Sequence, residues 1–285
     1  MTLLQLQVFV AIVETQSFTR AGEQLGLSQS AVSHSLRKLE EEWGVKLLER
    51  SRSSIELTPV GQRLFYKAKE MIWLGEIMEQ EVAKEKGLLV GTVRLGSFPT
   101  ASAVWLPNVF VRFQELYPNI EVRLLEGGYG EIRAWLHEAK IDLALLPVPD
   151  AEFDAIPLVH DPFVIVVPEE HPLSLRPPAS IQELDGSDFI MPLAGLETAM
   201  RKWLDDAGIQ VRVVFSLQNT SSILAMVRKG LGISVVPSSS PIPPGVHVLP
   251  LDSGLSRTIG LAARSLQQIP PAVQAMVKVF EENFT

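Results

Sequence analysis

The sequence predicts a mixed α/β chain in three parts: a small N-terminal helical module, one long helix, and a two-lobed domain in which strands and helices alternate. Three observations predict it. Residues 17–40 hold two apolar-periodic segments, each preceded by a serine and joined through Gly26. Thr58-Pro59 opens a run in which apolar residues keep a spacing of three to four as far as Val82. Beyond Gly91, β-rich apolar runs alternate with helical patterns, which implies a mainly parallel sheet covered by helices.

The first segment pair reads SFTRAGEQLGLSQSAVSHSLRKLE from Ser17 to Glu40, with Ser17 and Ser28 placed as N-caps and Gly26 as the turn. Two capped helices and a glycine turn make a helix-turn-helix. Its second helix sorts by face. Val32, Leu36 and Leu39 recur at i, i+4 and i+7, while Ser30, Ser33, His34 and Arg37 form another stripe with Gln29 beside it. One stripe packs inward. The other carries hydroxyls, an imidazole and a guanidinium, groups able to hydrogen-bond base edges and phosphates in a major groove. Taken alone, such a stripe is more often a solvated polar face, because short helix-turn-helix matches arise by chance. The continuation EEWGVKLLERSRSSIELTPVG supplies the context, since short apolar segments flank the polar run from Arg50 to Ser54 as the strands of a small wing would.

From about Leu4 to Gly61 the chain resembles the LysR-type transcriptional regulators. The helix SQSAVSHSLRKLE, the segment WGVKLLER and the run LTPVG stand in family order. The resemblance implies that Gln29, Ser33 and His34 read bases and that Arg37, Arg50 and Arg52 hold phosphates. Ser30 stands where proline is frequent in the family, and Leu48 where phenylalanine is frequent. The first bears on the base-reading surface and the second on packing alone.

Composition sets limits on the rest. The 285 residues, 46% hydrophobic and 20% charged, allow two or three domains with cores. No basic segment leading into a cleavable apolar run stands at the start, and no apolar run approaches the roughly 20 residues needed to span a bilayer. A cytoplasmic location is expected. The chain has no cysteine, and its five histidines (34, 137, 160, 171 and 247) lack metal-ligand spacing, so neither disulfides, thiol chemistry, metals nor cofactors are expected. The net charge of −8 is unusual for a nucleic-acid partner, and residues 1–60 carry six Lys/Arg against seven Asp/Glu. Binding to double-stranded DNA must therefore rest on local placement of charge, and a pair of chains should bind far better than one.

The run after Thr58-Pro59 has a stripe of Leu64, Ala68, Met71, Leu74, Met78 and Val82, with Phe65, Ile72, Trp73 and Ile77 outside it. About 28 helical residues would extend some 42 Å. So much apolar surface suggests a second chain rather than a single face packed on its own domain. The family resemblance implies pairing through this helix, giving a homodimer or a tetramer.

Beyond the GLLVG run at Gly87–Gly91, strands are expected at 92–98, 120–125, 141–146, 163–167, 188–191, 211–216, 233–237 and 257–263, with helices between them and a closing helix from Pro271. The late strand and last helix suggest that the chain crosses back, so the last helix completes the first lobe. Leu106-Pro107, Tyr117-Pro118, IDLAL from Ile141, PEEHPL from Pro168 and GLGISVVP from Gly230 also stand in the family's order. They resemble its two-lobed, periplasmic-binding-protein-like effector domain. The expected divisions are residues 1–58 for the winged helix-turn-helix, 59–87 for the linker helix and 88–285 for the effector domain. Within the last, lobe I covers about 91–161 and 266–285, and lobe II about 162–265. Pro147 and Phe163 are candidates for the crossings.

Ligands of α/β sheets settle at the carboxyl ends of strands, which places the expected effector site between the lobes. Thr100 and Ser102 follow the first strand and precede a helix, where capping is the alternative role. The family's effector-contacting hydroxyl aligns with Thr100. After the second strand the family often has Ser or Thr, whereas this chain has Gly127-Gly128-Tyr129, so Tyr129 is a candidate that alters cleft volume and polarity. Gly195, Thr198, Asn219 and Thr220 are the candidates from the second lobe. Arg201 is the nearest basic residue in sequence, so the expected effector is small and polar or weakly anionic.

Two rival readings come from other classes. An enzyme on the same lobes would need a nucleophile, a base and an orienting group brought together, and the chain has no G-x-S-x-G elbow, Walker loop or H-E-x-x-H motif. Alternatively, the C-terminal domain of a DNA-binding oligomer only assembles and binds no effector.

Overall fold

The computed structural model describes residues 1–50, 54–175, 181–193, 197–251 and 255–284. They form two compact units, one spanning Met1–Val90 and Glu138–Lys140 and the other Gly91–His137 and Ile141–Thr285.

In the first unit, each turn is written in a cap. Helix α1 (Leu3–Thr15) starts at a reciprocal box in which Thr2 and Gln5 satisfy each other's backbone N–H groups. Helix α2 (Phe18–Leu25) is capped by Ser17 and ends on Gly26, whose φ of 67° favours glycine. Helix α3 (Gln29–Trp43) is capped by Ser28, which accepts from the Ala31 N–H at 3.2 Å. The predicted apolar stripe is inside: Val32, Leu36 and Leu39 are fully buried against Leu6, Phe9 and Ile12 of α1 and Ala21 of α2.

Strands β1 (Leu48–Arg50) and β2 (Ile55–Leu57) pair antiparallel, Leu48 opposite Leu57, and form the wing. Glu40 fixes it to α3. This buried carboxylate accepts from the Leu47 N–H at 2.8 Å and from Lys46 Nζ at 2.8 Å. Thr58 then caps helix α4 (Pro59–Glu85), accepting from the Gly61 N–H and donating to the Lys46 carbonyl. Any side chain at Gly61 would set its Cβ 2.1 Å from the Leu47 carbonyl oxygen, so glycine is required by the close approach of helix and wing.

Along α4 the apolar positions divide. Leu64, Phe65, Ala68 and Ile72 pack on the core of the first unit, while Met71, Leu74, Met78 and Val82 stay exposed, Met78 at 70% and Val82 at 56%.

The second unit has two lobes joined by crossing strands. In lobe I, β3 (Gly91–Ser97) runs parallel to both β4 (Ile120–Glu126) and β5 (Leu143–Val148). Helices α5 (Pro99–Val104), α6 (Leu106–Leu116) and α7 (Tyr129–His137) connect these strands. Strand β6 (Asp154–Pro168) leaves the lobe: residues up to Pro162 pair with β11 (Ser256–Ala263), and from Phe163 onward with β9 (Ser234–Pro237) and β10 (Val246–Pro250). Phe163 thus stands at the crossing, whereas Pro147 lies inside β5 opposite Ile259.

Lobe II adds β7 (Asp188–Pro192) parallel to β8 (Arg212–Leu217), with helices α8 (Glu197–Asp206) and α9 (Thr220–Arg228). Helix α10 (Pro271–Phe284) returns to lobe I, burying Ala272, Val273, Met276 and Phe280 on the side of β3 and α6.

The main sheet, in the order β10-β6-β11-β5-β3-β4, is mixed rather than mainly parallel. Strands joined through a crossover helix run parallel. The two crossing strands travel in opposite directions between lobes and so pair antiparallel. Strand β10, whose Pro250 opposes Val164, is an element that sequence periodicity did not single out.

Candidate DNA-binding face and ligand cavity

On α3 the outward stripe is intact and open. Gln29, Ser30, His34 and Arg37 are exposed and Ser33 is half-buried. The side chains are ordered among themselves: Gln29 Nε2 donates to Ser33 Oγ at 3.0 Å, and Ser30 Oγ lies 2.9 Å from the capping Ser28 Oγ. Gln29 keeps its amide oxygen and a second N–H for a partner, the two groups that a bidentate contact to adenine uses. Arg37 and the largely exposed Lys46 border a shallow depression between α3 and β1, beside Glu40 and Leu48. Arg50 lies on β1; its side chain and the whole of Arg52 are outside the described residues.

The acidic count of this unit overstates its repulsion of DNA. Glu40 is buried beneath Lys46, Glu14 pairs with Lys69 at 3.1 Å, and Glu42 pairs with the N-terminal ammonium. Three of the carboxylates are thereby compensated by cations of the same chain.

In the second unit, the ends of β3, β4, β8 and β9 and the starts of α5, α7 and α9 surround a cavity of about 540 Å³. Thr100, Tyr129, Asn219 and Thr220 all line it. Ser102 and Thr198 do not: Ser102 Oγ is buried on α5 without a hydrogen-bond partner among the described residues, and Thr198 is exposed on α8. Gly195 lies outside the described residues. Asn219 has a structural share as well, because its Oδ1 caps α9 by accepting from the Ser221 and Ser222 N–H groups.

Gly127 is explained by packing. Its Cβ position lies 2.6 Å from the Trp135 ring of α7, which leaves no room for a side chain there. The chain instead presents Tyr129 at the first position of α7, edge-on to Phe98 at 5.2 Å between ring centroids.

The cationic group at the cavity is Arg257 on β11, not Arg201, which pairs with Glu197 on an exposed face of α8. The Arg257 side chain is only 8% exposed. Its Nε and Nη2 donate to Asp161 Oδ2 at 3.0 and 2.7 Å, and its Nη1 donates to the Tyr129 hydroxyl at 2.6 Å. Phe98 and Phe163 flank the guanidinium at 5.1 and 5.9 Å. Asp161, 1% exposed, also accepts from the Ser238 and Ser239 hydroxyls and the Ser239 N–H. The ion pair is thus fully hydrogen-bonded, the condition under which a buried pair is tolerated. Burial pushes the Tyr129 phenol above its ordinary ionisation range, while the Arg257 charge pulls the other way.

Sequence reasoning missed Arg257 and Asp161 because they are remote from the cavity residues along the chain. The usable signal was a charged residue of opposite sign in each of the two crossing strands, where register places Arg257 opposite Asp161.

Among the described residues no cluster of metal-ligating side chains occurs, and no helix is long and apolar enough to cross a membrane.

Comparison with known proteins is consistent along the whole chain. Residues 3–62 match the model of the bacterial regulatory helix-turn-helix protein of the lysR family, and residues 86–285 match the LysR substrate binding domain. The chain is 35% identical over 289 residues to the uncharacterized HTH-type transcriptional regulator YvbU of Bacillus subtilis, covering 100% of this chain and 99% of that one. It is 33% identical over 242 residues to the HTH-type transcriptional regulator CfxR of Cupriavidus necator, covering 83% and 75%. Among solved structures, a full-length OxyR variant from Pseudomonas aeruginosa superposes with a TM-score of 0.79 at 25% identity, covering 99% of this chain and 95% of that one. With a wing-bearing helix-turn-helix in one unit and a two-lobed α/β fold in the other, the chain belongs to the LysR family of DNA-binding transcriptional regulators that carry a substrate-binding domain.

Proposed function

We propose that the protein is a cytoplasmic regulator rather than an enzyme, and that a small polar or weakly anionic metabolite held between the lobes controls its action on promoter DNA. Residues 1–58 bind DNA, 59–87 pair two chains, and 88–285 hold the effector. Gln29, Ser33 and His34 read bases with Ser30 beside them; Arg37, Arg50 and Arg52 hold phosphates. Thr100, Tyr129, Asn219 and Thr220 contact the effector directly. Ser102, Gly195 and Thr198 are kept as further candidates for effector contact. The exposed seam of Met71, Leu74, Met78 and Val82 supports pairing of the long helices into a homodimer, which can pair again into a tetramer. Ligand binding favours one arrangement of the assembled protein on its half-sites over another.

The observation that carries the ligand-controlled reading is the cavity. Its volume suits a small molecule, and it combines apolar rings with few, converging polar groups. Thermal unfolding against a metabolite panel tests it. At least one metabolite should raise the melting temperature of the native protein and raise that of Thr100→Val or Thr220→Val less. If none stabilises the native chain, the C-terminal unit only assembles the DNA-binding oligomer.

A further inference from the structure

An anion entering the cavity would need hydrogen-bond donors, and the strongest ones there are already taken by the chain. Each guanidinium nitrogen of Arg257 donates internally, Nε and Nη2 to Asp161 and Nη1 to the Tyr129 hydroxyl. The buried Asp161 carboxylate also cancels the Arg257 charge. At the start of α9, Asn219 Oδ1 occupies the Ser221 and Ser222 N–H groups. At the start of α7, Glu131 Oε2 accepts from the Gly128 N–H at 2.9 Å and sets its negative charge against the positive end of that helix.

The acceptors are in the opposite condition. Glu126, the last residue of β4, and Glu131 both line the cavity, are exposed, and have no cationic partner among the described residues. Because the backbone holds Glu131 Oε2, its carboxylate is oriented before a ligand arrives, and its Oε1 has no hydrogen bond among the described residues. With Arg257 offset by Asp161, these two carboxylates leave the described lining negative. Both flank the turn between β4 and α7 on the lobe I side, whereas apolar Leu193 and Pro237 stand on the lobe II side.

Resting on the reading of the cavity as the effector site, and narrowing its ligand from polar or weakly anionic to the polar kind, we propose that the site takes an organic ammonium ion. Glu126 and Glu131 accept hydrogen bonds from its charged head, and its carbon body lies against Leu193 and Pro237. A hydrogen bond between charged groups is about twice as strong as a neutral one, so the head group sets the specificity. A carboxylate ligand meets like charge instead.

The test titrates the full chain, ¹³C-labelled on tyrosine, with 3-phenylpropylamine, 3-phenylpropionamide and 3-phenylpropionate. These probes share one carbon skeleton, and at about pH 7 their heads are positive, neutral and negative. Tyr66, Tyr117 and Tyr129 are the three tyrosines of the sequence, and Tyr129→Phe assigns the third signal. The Tyr129 ring lines the cavity, so its signal reports occupancy by any of the probes. The amine should move that signal saturably, leave those of Tyr66 and Tyr117 in place, and bind about tenfold more tightly than the amide, with the carboxylate weakest. In the double variant Glu126→Gln/Glu131→Gln, whose amide oxygens can still accept from the Gly128 N–H, amine and amide should bind alike. The ranking on the native chain needs no variant to fold. If amide or carboxylate binds the native chain as tightly as the amine, or if the double variant keeps the preference, the proposal is overturned and the effector-site reading stands. If no probe moves the Tyr129 signal, the proposal falls as well, and the metabolite panel alone decides the reading of the cavity.

Discussion

The two functional regions are built in opposite ways. The proposed base-reading face comes from one contiguous stretch, Gln29 to Arg37 on a single helix, whose caps and apolar stripe are local in sequence. The candidate ligand cavity draws on Phe98, Tyr129, Asn219 and Arg257, residues of distant segments in two lobes that the crossing strands join. The helix needs only its core and caps to present a polar stripe, so its side chains stay exposed and bond weakly to one another. The cavity has a buried ion pair in its wall, and its geometry depends on the register between β6 and β11.

The contrast predicts unequal costs of substitution. Arg257→Met should give the largest, because it strands Asp161 as a buried carboxylate without its cation; breaking such a pair costs about 3–5 kcal/mol. Urea unfolding of the second unit's transition measures it, and a loss under about 1 kcal/mol would mean that the pair does not organise the cavity wall. In the first unit, Ser28→Ala removes one cap of α3 and should cost about 1 kcal/mol, read from the same unfolding curves. A cost as large as that of Arg257→Met would abolish the distinction between the regions.

A smaller effect follows from Tyr129. Burial raises its ionisation above the ordinary phenol value of 10.0, so the folded state keeps the proton after the unfolded chain has begun to release it. Stability should therefore decline as pH rises from the unfolded value through the folded one. Tyr129→Phe removes this contribution, and its alkaline decline, followed by thermal unfolding between about pH 9 and pH 11, should be shallower.

The same contrast explains what was legible in the sequence. Ser17, Gly26, Ser28, Thr58 and Pro59 announce their helices because caps act over three residues, and each performs its expected role. Val32, Leu36 and Leu39 were readable as core from spacing alone. In the second unit the strand and helix order was readable except for β10, and Thr100, Tyr129, Asn219 and Thr220 line one cavity as expected of residues near strand ends, whereas Ser102 and Thr198 do not. Arg257 was not legible, because nothing local to RTIGLAA states that its neighbour in space is Asp161, nearly a hundred residues earlier. Nor did periodicity show that Gly127 yields its side-chain space to Trp135. Both facts depend on pairing and packing between distant segments.

The most direct test of the central claim is quantitative binding of the native protein and of Gln29→Ala to the DNA beside its own gene and to random DNA, at one fixed salt concentration. A bidentate base contact contributes about 1–3 kcal/mol of discrimination. The native protein should prefer its own site, and Gln29→Ala should lose most of that preference while keeping its affinity for random DNA. Equal preference in the two proteins, or an equal loss on random DNA, would contradict the assignment of α3 as the helix that reads sequence.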